Sequence, residues 1–326
     1  MKQNMIYKVV CVALAALLVV SNGIWYVTRP EPTTKLNFAF QVGFHYGVSI
    51  IMDYYDLVEK HSGNRIQASY FKISGGATIN EAIVAGSIDF AQMGTPPAIK
   101  GVDQGIGTKI LASFGSKEHE MWTWRSDINS VADLKEGDIV AVVKPFSIEH
   151  VGLVKAFIDM GRTTEDANAI SGFFSHSDAY QMMEEGLIDV AFSGVPYTVL
   201  YKENTRYHKI SCDTEIWGMP LAGGVFIGKA NLDEWIVDAV LAAWIEAIDW
   251  IQDNPKLASE IIGEVYEYEK EEAWELWQKS GIDWNPSFGL NVLETQASIM
   301  YELEIIDKPL TNNEMLFPQT LEKLMK

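Results

Sequence analysis

Cysteine is nearly absent from this chain of 326 residues, with Cys11 and Cys212 the only two. If Cys11 lies in a targeting segment the pair cannot close a domain disulfide, and neither has metal-ligand spacing, so we expect no disulfide and no zinc. Basic residues are also scarce. Against 44 Asp and Glu stand 25 Lys and Arg, a formal charge of −19. Long-range repulsion of that size opposes encounters with nucleic acid and with anionic membrane surfaces. The chain has no Walker loop and no evident pairing of nucleophile with base, so no catalytic residue and no cofactor is expected. Nothing in the composition suggests disorder, and 48% hydrophobic content at this length suffices for two cores.

The long apolar run stands at the start. Lys2 and Lys8 precede Val9 to Val20, and Ser21, Asn22 and Gly23 follow, which is the layout of a secretory signal. No clean Ala-x-Ala site marks a cleavage point, and Cys11 sits too early to be a lipoprotein cysteine. With Ile24 to Val27 the stretch reaches 19 residues, just the length of a membrane span. Residues 1–28 therefore read as a signal peptide or an N-terminal membrane anchor, and the bulk of the chain as exported.

A repeat organises the remainder. Gly86-Ser87-Ile88-Asp89-Phe90-Ala91-Gln92-Met93-Gly94-Thr95-Pro96 returns one hundred residues later as Gly186 to Pro196, with Gly, Ile, Asp, Ala, Gly and Pro conserved between the copies. In each copy an amphipathic helical run (Ile79 to Ala85; Ala179 to Glu185) stops at a Gly suited to a helix C-terminus. A short apolar strand follows, of the kind buried in a parallel sheet. It ends at a Gly, and Pro opens the next helix where a missing N–H costs nothing. Two similar α/β lobes are expected, each presenting a turn at the carboxyl end of its sheet, where such folds bind ligands.

Other turns fall into the same plan. Leu36 to Val42 reads as the first strand, with Phe44, His45 and Tyr46 at the strand-to-helix turn beyond it. Ile66 to Ile73 leads into Ser74-Gly75-Gly76-Ala77-Thr78, where backbone N–H groups at a helix start, flanked by hydroxyls, suit an anion or polar oxygen. A strand from Lys109 is expected to run through Phe114 towards Trp122, with the first crossing between lobes near Trp122 to Arg125. Lys144 to Ser147 follows the opening strand of lobe two, with Ser147 as helix N-cap. Trp217 to Gly224 is the expected return crossing. The domains so read are 33–124, 125–217 and 218–326, and the tryptophans from Trp235 to Trp277 anchor C-terminal helices on lobe one.

The motifs SGGAT, AGSIDFAQMG, DLKEGDIVAV, EEGLIDVAFSGVPY and GGVFIGKANLDE resemble those of the solute-binding proteins of nitrate, sulfonate, taurine and thiamine-precursor importers, a family related to the thiamine-pyrimidine synthase. The resemblance covers roughly Lys35 to Ala258. It implies a two-lobed, type II periplasmic-binding clamp, each lobe a mostly parallel sheet flanked by helices. It also implies a monomer that holds a small molecule and delivers it to ABC permease and ATPase subunits, touching the membrane only through them or its N-terminal segment. Carried across, the ligand contacts are Phe44 to Tyr46, Gly75, Gly76, Ala77 and Thr78, Gly94 and Thr95, Phe146 and Ser147, and Ser193, Gly194 and Val195. Trp122 joins them as a ring near the cleft, with Phe173 and Tyr197. Where the family often has Trp-Glu before the Pro of the second copy, this chain has Gly194-Val195, which makes that wall smaller or less charged.

Rival functions stay open at this point. The synthase-like enzyme lacks its Cys-rich motif here, although His45, His150 and His176 lie near predicted turns. A receptor for a tripartite secondary transporter or a ligand-sensing module would use a similar clamp. Lys144 is the only basic side chain placed near the cleft, so strong anion selectivity would rely on helix N-termini and hydroxyls; ring side chains predominate, and a flat heterocycle or a small organic anion such as a sulfonate is expected over bare nitrate.

Overall fold

A computed structural model describes residues 34–325; the expected signal or anchor, with Cys11, lies outside them. The strands in chain order are β1 (Thr34–Phe40), β2 (Ile66–Lys72), β3 (Phe90–Met93), β4 (Thr108–Ser113), β5 (Glu120–Thr123), β6 (Val140–Val142), β7 (Ser171–Phe173), β8 (Val190–Ser193), β9 (His208–Cys212) and β10 (Val225–Lys229). They form two five-stranded sheets with orders β2-β1-β3-β10-β4 and β7-β6-β8-β5-β9. In the first sheet β10 alone is antiparallel to its neighbours, and in the second β5 alone. The two lobes therefore share one topology, and in each the antiparallel strand is the one that arrives from the other lobe. Among the described residues no helix is long and apolar enough to cross a membrane.

The repeated motif lies in the same place in both sheets. β3 and β8 are the central strands, and all four of their residues are buried in each case. The helices before them, Gly76–Val84 and His176–Glu185, begin one hundred residues apart, as the strands do. Gly86 (φ +79°) and Gly186 (φ +70°) sit in the left-handed region after these helices, where a side chain would be strained. The shared aspartates do matching work. Asp89 Oδ2 accepts the Asn37 N–H at 2.9 Å and Oδ1 accepts Lys229 Nζ at 2.7 Å. Asp189 Oδ2 accepts the Ile139 N–H at 2.8 Å and Oδ1 accepts a guanidinium N–H of Arg125 at 3.0 Å. Each carboxylate thus ties the opening strand of its lobe to a cation on, or just beyond, the incoming antiparallel strand.

The first crossing differs from the sequence expectation. β4 stops at Ser113 in the first sheet and β5 starts at Glu120 in the second, so the chain crosses at 114–119 and not near Trp122 to Arg125. The apolar run reads as one strand, but Gly115 (φ +119°) bends it against the segment around Asp283. A Cβ at Gly115 would lie 1.8 Å from the Asp283 carbonyl oxygen, and the Ser116 N–H donates to that oxygen at 2.7 Å. The return to the first sheet runs through 218–224.

Aromatic residues build the first-lobe core. The Phe226 and Trp244 rings stack at 4.2 Å, Phe38 and Phe90 at 5.2 Å, and Trp244 Nε1 donates to the Ser113 carbonyl at 2.9 Å. The helix Glu234–Asp253, which carries Trp244, packs on the helices Gly47–Tyr54 and Leu57–His61 of that lobe. The helix Lys270–Ser280 bridges to lobe two at the helix Tyr197–Glu203.

The aspartate clasps set a stability prediction. With side chains only 17% and 20% exposed, Asp89→Ala and Asp189→Ala should each cost on the order of 1.5 to 3 kcal/mol by urea unfolding, since each strands charge-assisted hydrogen bonds. Asp189→Ala should cost the less of the two, because Arg125 also binds Asp127 and Asp138. Equal losses below 0.5 kcal/mol ~ the scale of a neutral surface change ~ would show that the clasps do not hold the sheets.

Candidate functional site

Where the carboxyl ends of the two sheets meet, the lobes enclose a cavity of about 80 Å³, lined by Gln41, Val42, His45, Tyr46, Ser74, His119, Val143, Ser175, His176, Ser177 and Tyr197. The lining residues come from the turns after β1, β2, β6, β7 and β8 and from the first crossing, which is where an open α/β sheet exposes its ligand edge. A mouth of about 300 Å³ shares Val42, Ser177 and Tyr197 with it and adds Phe44, Lys72, Tyr266 and Tyr268.

Three imidazoles dominate the cavity, each held by a different segment. His45 lies in the single 3-10 turn Phe44–Tyr46 and is 2% exposed, and its Nδ1 has no hydrogen-bond partner. His119 ends the first crossing. Its backbone N–H and its Nδ1 both face Asp213 Oδ2, at 3.0 and 3.3 Å, and the Asp213 N–H donates back to the His119 carbonyl at 3.0 Å. His176 opens the helix after β7, behind the N-cap Ser175. Glu149, in the first turn of the helix Ile148–Asp159 and 3% exposed, stands behind two of the rings. Its Oε1 is 3.4 Å from His176 Nε2 and 3.6 Å from His119 Nε2. Among the described residues no group of three or more His, Cys, Asp or Glu is placed to hold a metal ion.

Electrostatics set the three rings apart. Burial holds His45 well below the ordinary imidazole value, helped by His119, His176 and Lys117. Burial also lowers His176, more than Glu149 raises it. Burial pulls His119 down too, but its hydrogen bond to Asp213 and the charges of Glu149 and Asp213 outweigh it, and the net shift is upward. Two neutral rings and one that favours the imidazolium form therefore share the cavity.

The residues expected from the sequence divide. His45 and Tyr46 line the cavity and Phe44 the mouth. Gly75 and Gly76 sit beside Ser74, but for packing: a Cβ on Gly75 would lie 2.9 Å from Lys144 of the opposite lobe, and one on Gly76 2.5 Å from Pro97. The Gly75 N–H donates to Gln41 Oε1 at 3.1 Å. Gly194 leaves room for His119, whose Nε2 would lie 3.0 Å from an added Cβ, and the Val195 carbonyl faces Gly43. Ser193 is buried under the turn.

The others lie elsewhere. Trp122 is in the second-lobe core, its ring stacked on Tyr201 at 6.3 Å and its Nε1 donating to Glu120. Thr78 is exposed on its helix. Gly94 and Thr95 are buried outside the cavity wall, with Thr95 Oγ1 directed at the Ala222 carbonyl. Ser147 caps its helix by accepting the His150 N–H at 3.2 Å. Ala77 and Phe146 line a separate groove of about 530 Å³ on the outside, where Lys100 lies 4.3 Å from the Phe146 ring. That groove is mostly apolar and gathers no titratable cluster. Ser74, a flanking hydroxyl of the SGGAT turn, does line the cavity, while sequence reasoning missed Gln41, Val42, His119, Val143, Ser175 and Ser177. Extending the hundred-residue offset backward would have found Ser175 to Ser177, since it maps Gly75-Gly76-Ala77 onto them.

No protein-family profile matches the chain, and no curated relative does. Solved structures do. The alkanesulfonate-binding protein SsuA of Xanthomonas axonopodis pv. citri, bound to MOPS, superposes with a TM-score of 0.70 over 88% of this chain and 99% of that one, at 16% identity. The periplasmic aliphatic sulphonate binding protein SsuA of Escherichia coli gives 0.65 over 88% and 92%, at 18% identity. The periplasmic nitrate-binding protein NrtA of Synechocystis PCC 6803 gives 0.58 over 75% and 70%, at 14%. The chain has the two-lobed fold of these periplasmic binding proteins.

The histidines imply a two-sided pH profile. His45 and His176 are lowered in the fold, so on acidification through about 6.5, their ordinary value, the unfolded chain takes up protons that the folded chain refuses, and stability falls. His119 is raised, so its contribution is full at low pH and is lost as pH climbs through its folded value. Melting temperature against pH should show His45→Gln flattening the acid limb and Asp213→Asn removing the alkaline one. Unchanged limbs in both variants would place the titration elsewhere.

Proposed function

We propose that the chain is the exported solute-binding component of an ABC importer, taking one small organic molecule per chain into the interlobe cleft and releasing it unchanged. The observation that carries this is the cavity itself: it is closed by turns from both lobes at their sheet carboxyl ends, so a ligand there bridges the halves of a clamp. The neighbours support the partner assignment, since one is described as the ligand-binding component of an ABC-type import system from Staphylococcus aureus. Permease and ATPase subunits are then the partners, and the extracytoplasmic side is the location, in keeping with the signal-like N-terminus.

The lobes meet along a packed face, with the helix Thr95–Asp103 on Ile148–Asp159 and the helix Lys270–Ser280 on Tyr197–Glu203. Lys144 reaches over Gly75, Val195 approaches Gly43, and the two crossings at 114–119 and 218–224 are the strand connections between sheets. Such an arrangement supports hinge closure around a ligand of the kind that clamps of this shape perform.

Two measurements test the reading. A thermal-shift screen of small molecules should identify a stabilising ligand, and small-angle scattering should then show compaction at saturation. Mass spectrometry after long incubation should return the ligand intact. A chemical product, or an unaltered scattering profile with a saturating ligand, would remove the solute-binding assignment.

A further inference from the structure

The cavity gathers negative charge and hydrogen-bond acceptors. The Glu149 carboxylate makes no hydrogen bond among the described residues; Oε1 faces two imidazole nitrogens at 3.4 and 3.6 Å, beyond a good N–H···O distance. A buried carboxylate so weakly partnered is costly unless a cation stands nearby. Asp213 adds a second buried carboxylate behind His119. Against these two carboxylates stand the His119 ring, whose shift is upward, and Lys117 of the first crossing, which lies close enough to lower both His45 and His119. His176 turns Nε2 towards Glu149 at 3.4 Å. His45 Nδ1 is unpartnered and 2% exposed.

Positive charge is missing from the wall. No Lys or Arg lines the cavity. Lys72 reaches only the mouth, and Lys144 is exposed over Gly75. Asp178 in the first turn opposes the positive end of the helix His176–Glu185, the helix start that faces the cavity. Aromatic faces take the place of cations. Ring centroids run His45–Tyr46 4.3 Å, His45–His119 6.1 Å, His119–His176 6.5 Å and His176–Tyr197 6.1 Å, a ladder around the cavity. Of these rings Tyr46 and Tyr197 are the kind over which a desolvated ammonium is held. The space, about 80 Å³, holds the equivalent of two or three waters. It fits a head group, with the mouth left for the rest of the molecule.

We propose that the ligand is a small organic amine bound as its cation, with the ammonium head in this cavity among the rings and Glu149 as counter-charge one ring away. This rests on the solute-binding reading and replaces the anion expected from the sequence.

Titration calorimetry on the full chain at neutral pH, with propylammonium and propanesulfonate as size-matched probes, decides it. Propylammonium should bind saturably and propanesulfonate should neither bind as tightly nor compete. Glu149→Gln, close to isosteric, should weaken propylammonium roughly tenfold to a hundredfold, the range expected for losing a counter-charge about 6 Å away in a protein interior. Tyr197→Leu, which removes a half-buried ring, should weaken it several-fold and so serves if the Glu149 variant fails to fold. Tighter binding of propanesulfonate to the unaltered protein overturns the amine assignment, as does propylammonium affinity that is indifferent to both variants. Scattering separates the two readings: compaction by propanesulfonate alone keeps the solute-binding function and rejects the amine, whereas no compaction by these probes or by any screened molecule rejects both.

Discussion

Both lobes depend on a carboxylate placed at the entrance to the central strand. Asp89 and Asp189 each accept a backbone N–H from the opening segment of their own lobe and a cation from the strand that has just crossed from the other one. A five-stranded sheet assembled from non-contiguous segments must register a strand whose chain neighbours lie in a different core. Main-chain pairing alone tolerates slippage, and the ion pair removes it. Because the clasps sit at the amino ends of β3 and β8, the carboxyl ends carry no such restraint. Their turns are free to vary, and that is where the cavity forms.

The crossings are coupled as tightly as the strands. His119 closes the first, and Asp213 opens the short helix Asp213–Trp217 that precedes the return. The Asp213 N–H donates to the His119 carbonyl and the His119 N–H to the Asp213 carboxylate, which lays the two connections side by side. The contrast between the two buried carboxylates is informative. Asp213 accepts two donors from one residue, so its charge is compensated within the fold. Glu149 has only distant imidazole contacts. One carboxylate is satisfied within the crossings, and its neighbour stands behind two imidazoles short of donors.

Much of the architecture was legible in the sequence because it is written in periodic and positional signals. The hundred-residue repeat gave both central strands and both left-handed glycines, since each is fixed by a residue whose backbone or charge requirement is local; the helices before the strands begin at Gly76 and His176, three residues ahead of the apolar runs, and Pro196 caps its helix from outside while Pro96 lies in the first turn of its own. The cavity was less legible. Trp122 looked like a cleft ring, but alternation along β5 turns it into the second-lobe core, and the strand's true start depends on Gly115 meeting the segment around Asp283, which is far along the chain and leaves no local pattern. The Gly75-Gly76 pair looked like an anion cradle and is instead where Lys144 and Pro97 need room. His119 could not be placed at all until the crossing was known. Glycine signals say that something comes close, and only the fold says what.

That last point bears on how one scaffold serves different ligands. The convergent helix starts of this fold favour anions by default, and identities below one fifth with its structural neighbours leave the turns unconstrained by the fold. Gly194-Val195 stands where the resembling family often carries Trp-Glu. In this structure the missing side chain at Gly194 is what admits the His119 ring, which would crowd even a single carbon there, with His45 next beyond it at 3.8 Å. A large residue at that position and a histidine ladder across the cavity are mutually exclusive. The small wall is the steric condition for what stands in this cavity: the absence of bulk in the second motif copy lets the crossing place an imidazole, and behind it two carboxylates, where the lobes meet.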